Sequence, residues 1–216
     1  IQRSLAMVAL PWQRRGRFQE MHAAHTGLLA GLFPSLPLAH LSRYVHDIIV
    51  YDHGQRLHTF LDDARTVAGQ VNDVALAEVA LRTLAKTYWI KDEVFVAHLM
   101  VSPLKTARDQ LAYGRLGRSY RVHHINRPSF MIAGRKLEFD FSPASWMLHL
   151  MKGARFLRLL MPQWHHEERR IATQVRKEVL RPGHTWESLK KLDNIKGYRD
   201  VRLKKARELL TVRGEA

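Results

Sequence analysis

The stretch KTYWIKDEVFVAHL, Lys86 to Leu99, sets three charges, Lys91, Asp92 and Glu93, into a segment otherwise apolar enough to be a buried helix. Charges taken into a core need partners there, because an unpaired one costs on the order of several kcal/mol. Asp73 stands where it can cap a helix through Val74, Ala77, Ala80, Leu81, Leu84, Tyr88, Phe95 and Leu99, so the three-and-four spacing predicts one helix over about 73–101. Glu78, Arg82 and Lys86 recur four apart on a second face, the spacing of mutually supporting ion pairs. Lys91 and Asp92 fall outside that ladder, among Tyr88, Trp89 and Phe95. Either the helix is turned edge-on with these charges solvated, or they are buried and lock the helix to another element. Arg127 or Arg135, in the expected hairpin, is then the partner. An acid–base pair built from Lys91, Asp92 or Glu93 with a histidine is the catalytic alternative, and the structural role is preferred to it because ion-pair networks perturb ionisation equally well.

Elsewhere the pattern is helical, with one interruption. Residues 1–41 read as a lead-in that can be the end of a preceding domain, with one short helix from Arg17 to Leu32 ended by Pro34 and Pro37. Residues 42–216 read as the main helical domain. Within it Ser42 is expected to cap a helix over 42–67, Ser102-Pro103 to start one over 104–114, and Ser142-Pro143 to cap one from Ala144 to Met161. Further helices are expected from His165 to Leu180, from Trp186 to Leu192 behind a Thr185 cap, and from Val201 to Val212. Between Tyr120 and Phe141 the period changes to two, with Ala133-Gly134-Arg135 as a turn. The expected fold is therefore mainly α, antiparallel helices with a small β-hairpin insertion near residues 120–141.

Several chemistries are excluded by composition. The 216 residues contain no cysteine, which rules out disulfides, thiolate-ligated iron–sulfur clusters and cysteine nucleophiles within this chain. The glycines form neither a phosphate loop nor a dinucleotide fingerprint, and there is no serine nucleophile elbow. Thirteen histidines invite a metal reading. In His165-His166-Glu167-Glu168, however, neighbours point about 100° apart on a helix, so at most two could share an ion. His22 and His25 are better spaced but have no carboxylate nearby in sequence. No metal site is expected. No apolar run is long enough to span a bilayer, and no secretory signal precedes the helices, so a soluble cytoplasmic protein is expected. A start at Ile1 rather than Met predicts a fragment or a processed form.

Charge is unevenly placed. Residues 1–100 carry a net +1 and residues 101–216 a net +14. Arg115, Arg118, Arg121 and Arg127 with Tyr120 interleaved, together with Lys204 and Lys205 in the last helix, could contact phosphates. Nucleic-acid binding is accordingly the runner-up class, weakened by the lack of a zinc-finger or RNA-recognition motif and by the spread of the basic residues over several elements.

Four segments in order carry a resemblance. KTYWIKDEVFVAHL is similar to the helix with an aromatic or Tyr-Lys-Asp-Glu core in the C-terminal domain of indolepyruvate-type 2-oxoacid:ferredoxin oxidoreductases. SRYVHDIIVYDHGQRL, Ser42 to Leu57, resembles a short helix upstream of it, and YRVHHINRPSFMIAGRKLEFDFSPASWML, Tyr120 to Leu148, its hairpin and the start of the next helix. LDNIKGYRDVRLKKA, Leu192 to Ala206, resembles an Ile-Arg/Lys-Gly-Tyr/Phe element, with Arg199-Asp200 departing from the Gly-His that often follows. The matches run from about Ser42 to Leu210, most of the chain. The resemblance implies an accessory region of a thiamine-diphosphate enzyme that oxidatively decarboxylates aryl-pyruvates to acyl-coenzyme A and passes electrons to ferredoxin through 4Fe-4S clusters. Those cofactors would sit on the parent's other domains or subunits, so no catalytic residue and no cofactor is expected in this chain. Trp89, Lys91, Asp92 and Glu93, with Gly197 and Tyr198 as turn and packing supports, are the structural or interface candidates. Under the resemblance, the basic second half could attract an acidic ferredoxin or the phosphates of coenzyme A.

Overall fold

Short-range signals set most of the element boundaries in the computed structural model, which describes residues 1–8, 13–14, 16–114, 129–132, 135–138, 142–153, 158, 163–195 and 200–211. In chain order the described elements are α1 (Gln2–Ala6), α2 (Arg17–Leu32), α3 (Leu38–Asp52), α4 (Leu57–Gln70), α5 (Val74–Lys86), α6 (Glu93–Met100), α7 (Pro103–Tyr113), β1 (Ser129–Ile132), β2 (Arg135–Glu138), α8 (Ser145–Gly153), α9 (Gln163–Val179), α10 (Trp186–Asp193) and α11 (Asp200–Thr211). The protein is mainly helical. β1 and β2 pair antiparallel, with Ser129 opposite Glu138 and Ile132 opposite Arg135. The rest of the expected 120–141 hairpin, Ala133 and Gly134 included, lies outside the described residues.

Caps account for the clean starts. The Asp73 carboxylate accepts from the Leu76 N–H at 2.7 Å and opens α5. Ser102 accepts from Leu104, with Pro103 supplying the fixed φ of a first helical residue. Thr185 and Ser188 cap each other's backbone at the head of α10.

Two expected long helices are broken. The helix predicted over 42–67 is α3 and α4, separated where His53 (φ 61°) and Gly54 (φ 77°) turn left-handed. A Cβ at Gly54 would run into the Met21 sulfur and lie 3.1 Å from Leu57 Cδ1, so the turn needs glycine. Ser42 is no cap: it lies inside α3, which begins after Pro37, and both its carbonyl and its hydroxyl meet His22 Nε2, at 2.9 and 3.2 Å. The helix predicted over 73–101 is likewise α5 and α6. After Lys86 the Thr87 hydroxyl and the Thr87 and Tyr88 N–H groups close on the carbonyls of Leu84 and Ala85, ending the helix, and the Asp92 N–H bonds Ile90. Residues 87–92 thus form a connector and not a helical turn.

The chain divides into two units, 1–92 with 157–216, and 93–156. In the first, α2 packs on α1, α3 and α4, and α5 lies against α3, α4, α9 and α10. Phe18, Leu29, Leu41, Ile48, Phe60 and Leu84 are among its fully buried side chains. Residues 1–41 contribute α1 and α2 to this unit. In the second unit α6 packs on α7 and α8. No helix among the described residues is long and apolar enough to cross a membrane.

His22 gives a pH-dependent outcome. It is buried, and desolvation is the largest influence lowering its pKa below 6.5, ahead of the opposing bond to the Ser42 carbonyl. As pH falls through 6.5 the unfolded chain takes up a proton that the folded chain refuses, so this stabilisation is complete above 6.5 and is lost toward the lower, folded pKa. The expected slope is at most about 1.4 kcal/mol per pH unit, one proton's worth. Urea midpoints of His22→Gln should lack this contribution between pH 6.5 and 5; an unchanged profile would remove His22 as its source.

Candidate functional site

Asp92, the central acid of the Lys-Asp-Glu triplet, is wholly enclosed. Arg158 meets it with two parallel bonds, Nε to Oδ2 at 2.7 Å and Nη2 to Oδ1 at 3.2 Å. The third guanidinium nitrogen, Nη1, donates to the Tyr51 carbonyl at the end of α3, and the guanidinium lies 3.9 Å from the centroid of the Tyr51 ring. His165, in the first turn of α9 and also fully buried, brings Nε2 to 3.5 Å from Asp92 Oδ2. One carboxylate therefore ties together the end of α3, the connector, Arg158 and α9. Bidentate charge-assisted bonds with a stacked aromatic are the geometry in which a buried ion pair holds a fixed arrangement. Arg158 is a partner that the expectation of Arg127 or Arg135 did not include. Arg127 lies outside the described residues, and of Arg135 only the backbone, in β2, is described.

A second clamp lies beside it. Asp63, on the apolar face of α4, accepts from the Tyr88 hydroxyl at 2.5 Å and from Arg176 of α9 through Nε and Nη2, the latter at 2.9 Å. Burial first, and the hydrogen bond to Asp63 second, push the Tyr88 hydroxyl pKa well above its usual value, so it stays a donor. Arg56 joins the two clamps. Its guanidinium lies 5.7 Å from the Tyr51 ring and 5.4 Å from the Tyr88 ring, and its Nη2 donates to the Tyr88 carbonyl.

The ladder of Glu78, Arg82 and Lys86 acts across helices as well as along one. Arg82 lies 3.6 Å from Glu78, but both Arg82 and Lys86 also reach Asp193 of α10, Lys86 at 2.6 Å, with Thr83 adding a bond at 3.4 Å. On the far side of α9, Glu168 pairs with Arg202 of α11 at 2.8 Å. Burial raises the Glu168 pKa, opposed by Arg202 and His165.

The triplet divides. Lys91 is exposed, and Trp89 and Glu93 are half-buried. An acid–base role for Asp92 and His165 fails on access, because both side chains are sealed from solvent and both Asp92 oxygens are held by Arg158. A contact series formally like a hydrolase triad occurs elsewhere: Ser4 Oγ at 2.9 Å from His46 Nε2, and His46 Nδ1 at 2.8 Å from Asp47. Ser4 is completely buried, so the series tethers α1 to α3 and presents no nucleophile.

Of the other candidates, Lys204 and Lys205 are exposed on α11. Arg115, Arg118, Arg121, Gly197 and Tyr198 lie outside the described residues. His165 and Glu168 face inward while His166 faces out, so the sequence cluster does not converge. Among the described residues no three metal-ligand side chains gather. Without a cysteine the chain offers no thiolate for a cluster, so the iron–sulfur groups implied by the resemblance do not fit here. The sequence reading missed Asp63, Tyr51, Arg158 and Arg176. A signal for Asp63 was present: it shares the spacing of Phe60, Ala64 and Val67, a lone acid on an apolar stripe.

The chain matches no protein-family model, no curated protein and no solved structure.

Proposed function

We propose that the chain is the C-terminal accessory module of an indolepyruvate-type 2-oxoacid:ferredoxin oxidoreductase, and that it braces the catalytic assembly without performing chemistry. The observation that supports this reading is Asp92. It is the acid at the centre of the motif that carries the resemblance, and its two oxygens are engaged inside the fold, where a substrate has no access. A motif residue so placed maintains a shape. In the parent enzyme, thiamine diphosphate and the 4Fe-4S clusters belong to other domains or subunits, which are this module's partners, and the decarboxylation of an aryl-pyruvate to an acyl-coenzyme A proceeds there. An acidic ferredoxin and the phosphates of coenzyme A are ligands that the basic second half could draw in.

The test uses the native polypeptide with everything that co-purifies from its source under gentle conditions. The expected result is a longer chain or a partner that carries thiamine diphosphate and iron–sulfur absorbance. In that assembly Asp92→Ala should lower turnover or assembly while cofactor content stays intact. The pair Asp92→Leu with Arg158→Met, which removes both charges, should restore it. A self-standing chain without those cofactors, or unchanged turnover and assembly in Asp92→Ala, would overturn the reading.

A further inference from the structure

The carboxylates of α9 are all turned away from its outer surface. Glu168 and Glu178 are buried, and Glu167, at the flank, bonds Arg207 of α11 at 3.1 Å. The outward row is left with His166, Arg169, Arg170, Thr173, Gln174 and Lys177, all exposed, and Arg181 follows just beyond the helix end. Arg169, Arg170 and Lys177 have no carboxylate within ion-pair distance among the described residues, while Arg181 is held by Glu178 at 2.9 Å. An exposed helix face ordinarily mixes signs to support itself through neighbours three and four apart. This one carries positive charges only, at Arg169, Arg170 and Lys177, and gives up that support.

We propose that the outer row of α9 is a docking face for an acidic protein surface. At about 1.5 Å per residue the row from His166 to Lys177 is about 17 Å long, the reach of one helix or strand laid across it. Carboxylates three and four apart on a partner helix would stand about 5–6 Å from one another, close enough for Arg169 and Arg170 to take a bidentate acid each. Thr173 and Gln174, between the cations, add neutral hydrogen-bonding groups suited to a protein rim. A nucleic acid fits less well. Backbone affinity grows with the number of phosphates neutralised, and Arg169, Arg170 and Lys177 could neutralise only about three. The row also holds no Phe, Tyr or Trp on which a base could stack. The proposal does not depend on the family reading, since it rests only on the charge and exposure of α9.

The test compares fluorescently labelled poly-L-glutamate with a labelled single-stranded oligonucleotide of equal charge, by anisotropy across a salt series on the full chain. Arg170→Glu with Lys177→Glu should weaken poly-L-glutamate binding about tenfold or more. Arg3→Glu with Arg65→Glu makes the same charge change at exposed positions on α1 and α4 and should weaken it far less. Circular dichroism checks that both pairs fold, and Arg170→Gln with Lys177→Gln, expected to give a smaller loss in the same direction, replaces the first pair if it does not. Equal losses from both pairs would mean that net charge alone is at work and would overturn the proposal. So would absence of poly-L-glutamate binding, or tighter binding of the oligonucleotide at matched salt, which would make the row a nucleic-acid contact instead.

Discussion

Asp92→Ala should destabilise the unit built from residues 1–92 and 157–216 by about 3–5 kcal/mol, the usual cost of removing one partner from a buried ion pair. The size follows from what is left behind. The Arg158 side chain is only 10 % exposed, and without Asp92 its charge keeps the Tyr51 carbonyl and ring but loses its counter-ion. His165, 3.5 Å from the same oxygen, loses the carboxylate as well. Asp92→Asn keeps the volume and one acceptor and should cost less. Asp92→Leu with Arg158→Met should recover most of the loss, because an apolar pair of similar volume pays no desolvation penalty. Urea midpoints at fixed pH check all three. A cost below about 1 kcal/mol for Asp92→Ala would show that Asp92 is hydrated in solution and that the clamp does not hold the fold together.

Local rules made the caps and helix starts legible. α2 has the bounds read from the apolar pattern and the Pro34-Pro37 stop, and Asp73, Ser102 and Thr185 cap where their positions require. The breaks at 53–54 and 87–92 were hidden because the apolar phase on either side still fits one continuous helix. Periodicity reports which face is buried and says nothing about a connector that keeps the phase. Ion-pair partners were hidden for a different reason. Asp92 and Arg158 are 66 positions apart, and Asp63 and Arg176 are 113 apart, so no local spacing relates them. A weaker signal was available. Asp92 is an acid in an apolar run, and Arg158 is a base in another, between Leu157 and Leu159. Two isolated opposite charges in two core segments are each other's natural partners, since neither can be buried alone. The same reasoning pairs Asp63, alone on the apolar stripe of α4, with a cation on another element.

Tyr88→Ala should cost about 3–5 kcal/mol, and Tyr88→Phe only about 1. The ring is buried and stands edge-on to Phe60 with centroids 5.2 Å apart, so truncation opens a cavity against the centre of α4. Removing the hydroxyl alone costs less, because Asp63 keeps both bonds from Arg176. The ring also lies 5.4 Å from the guanidiniums of both Arg56 and Arg176. Arg56 leans on Tyr51 as well, and Tyr51 backs the Arg158 that holds Asp92. The two clamps share these side chains, so their losses should not add. Tyr88→Ala and Asp92→Ala together should cost less than their separate sum by about 0.5–3 kcal/mol, the range found for residues within one network. Strict additivity in that double-mutant cycle would mean that Arg56 joins the clamps in space but not in energy. The motif acid would then be stabilised independently of Tyr88, and the Asp63 cluster would be a separate brace between α4 and α9.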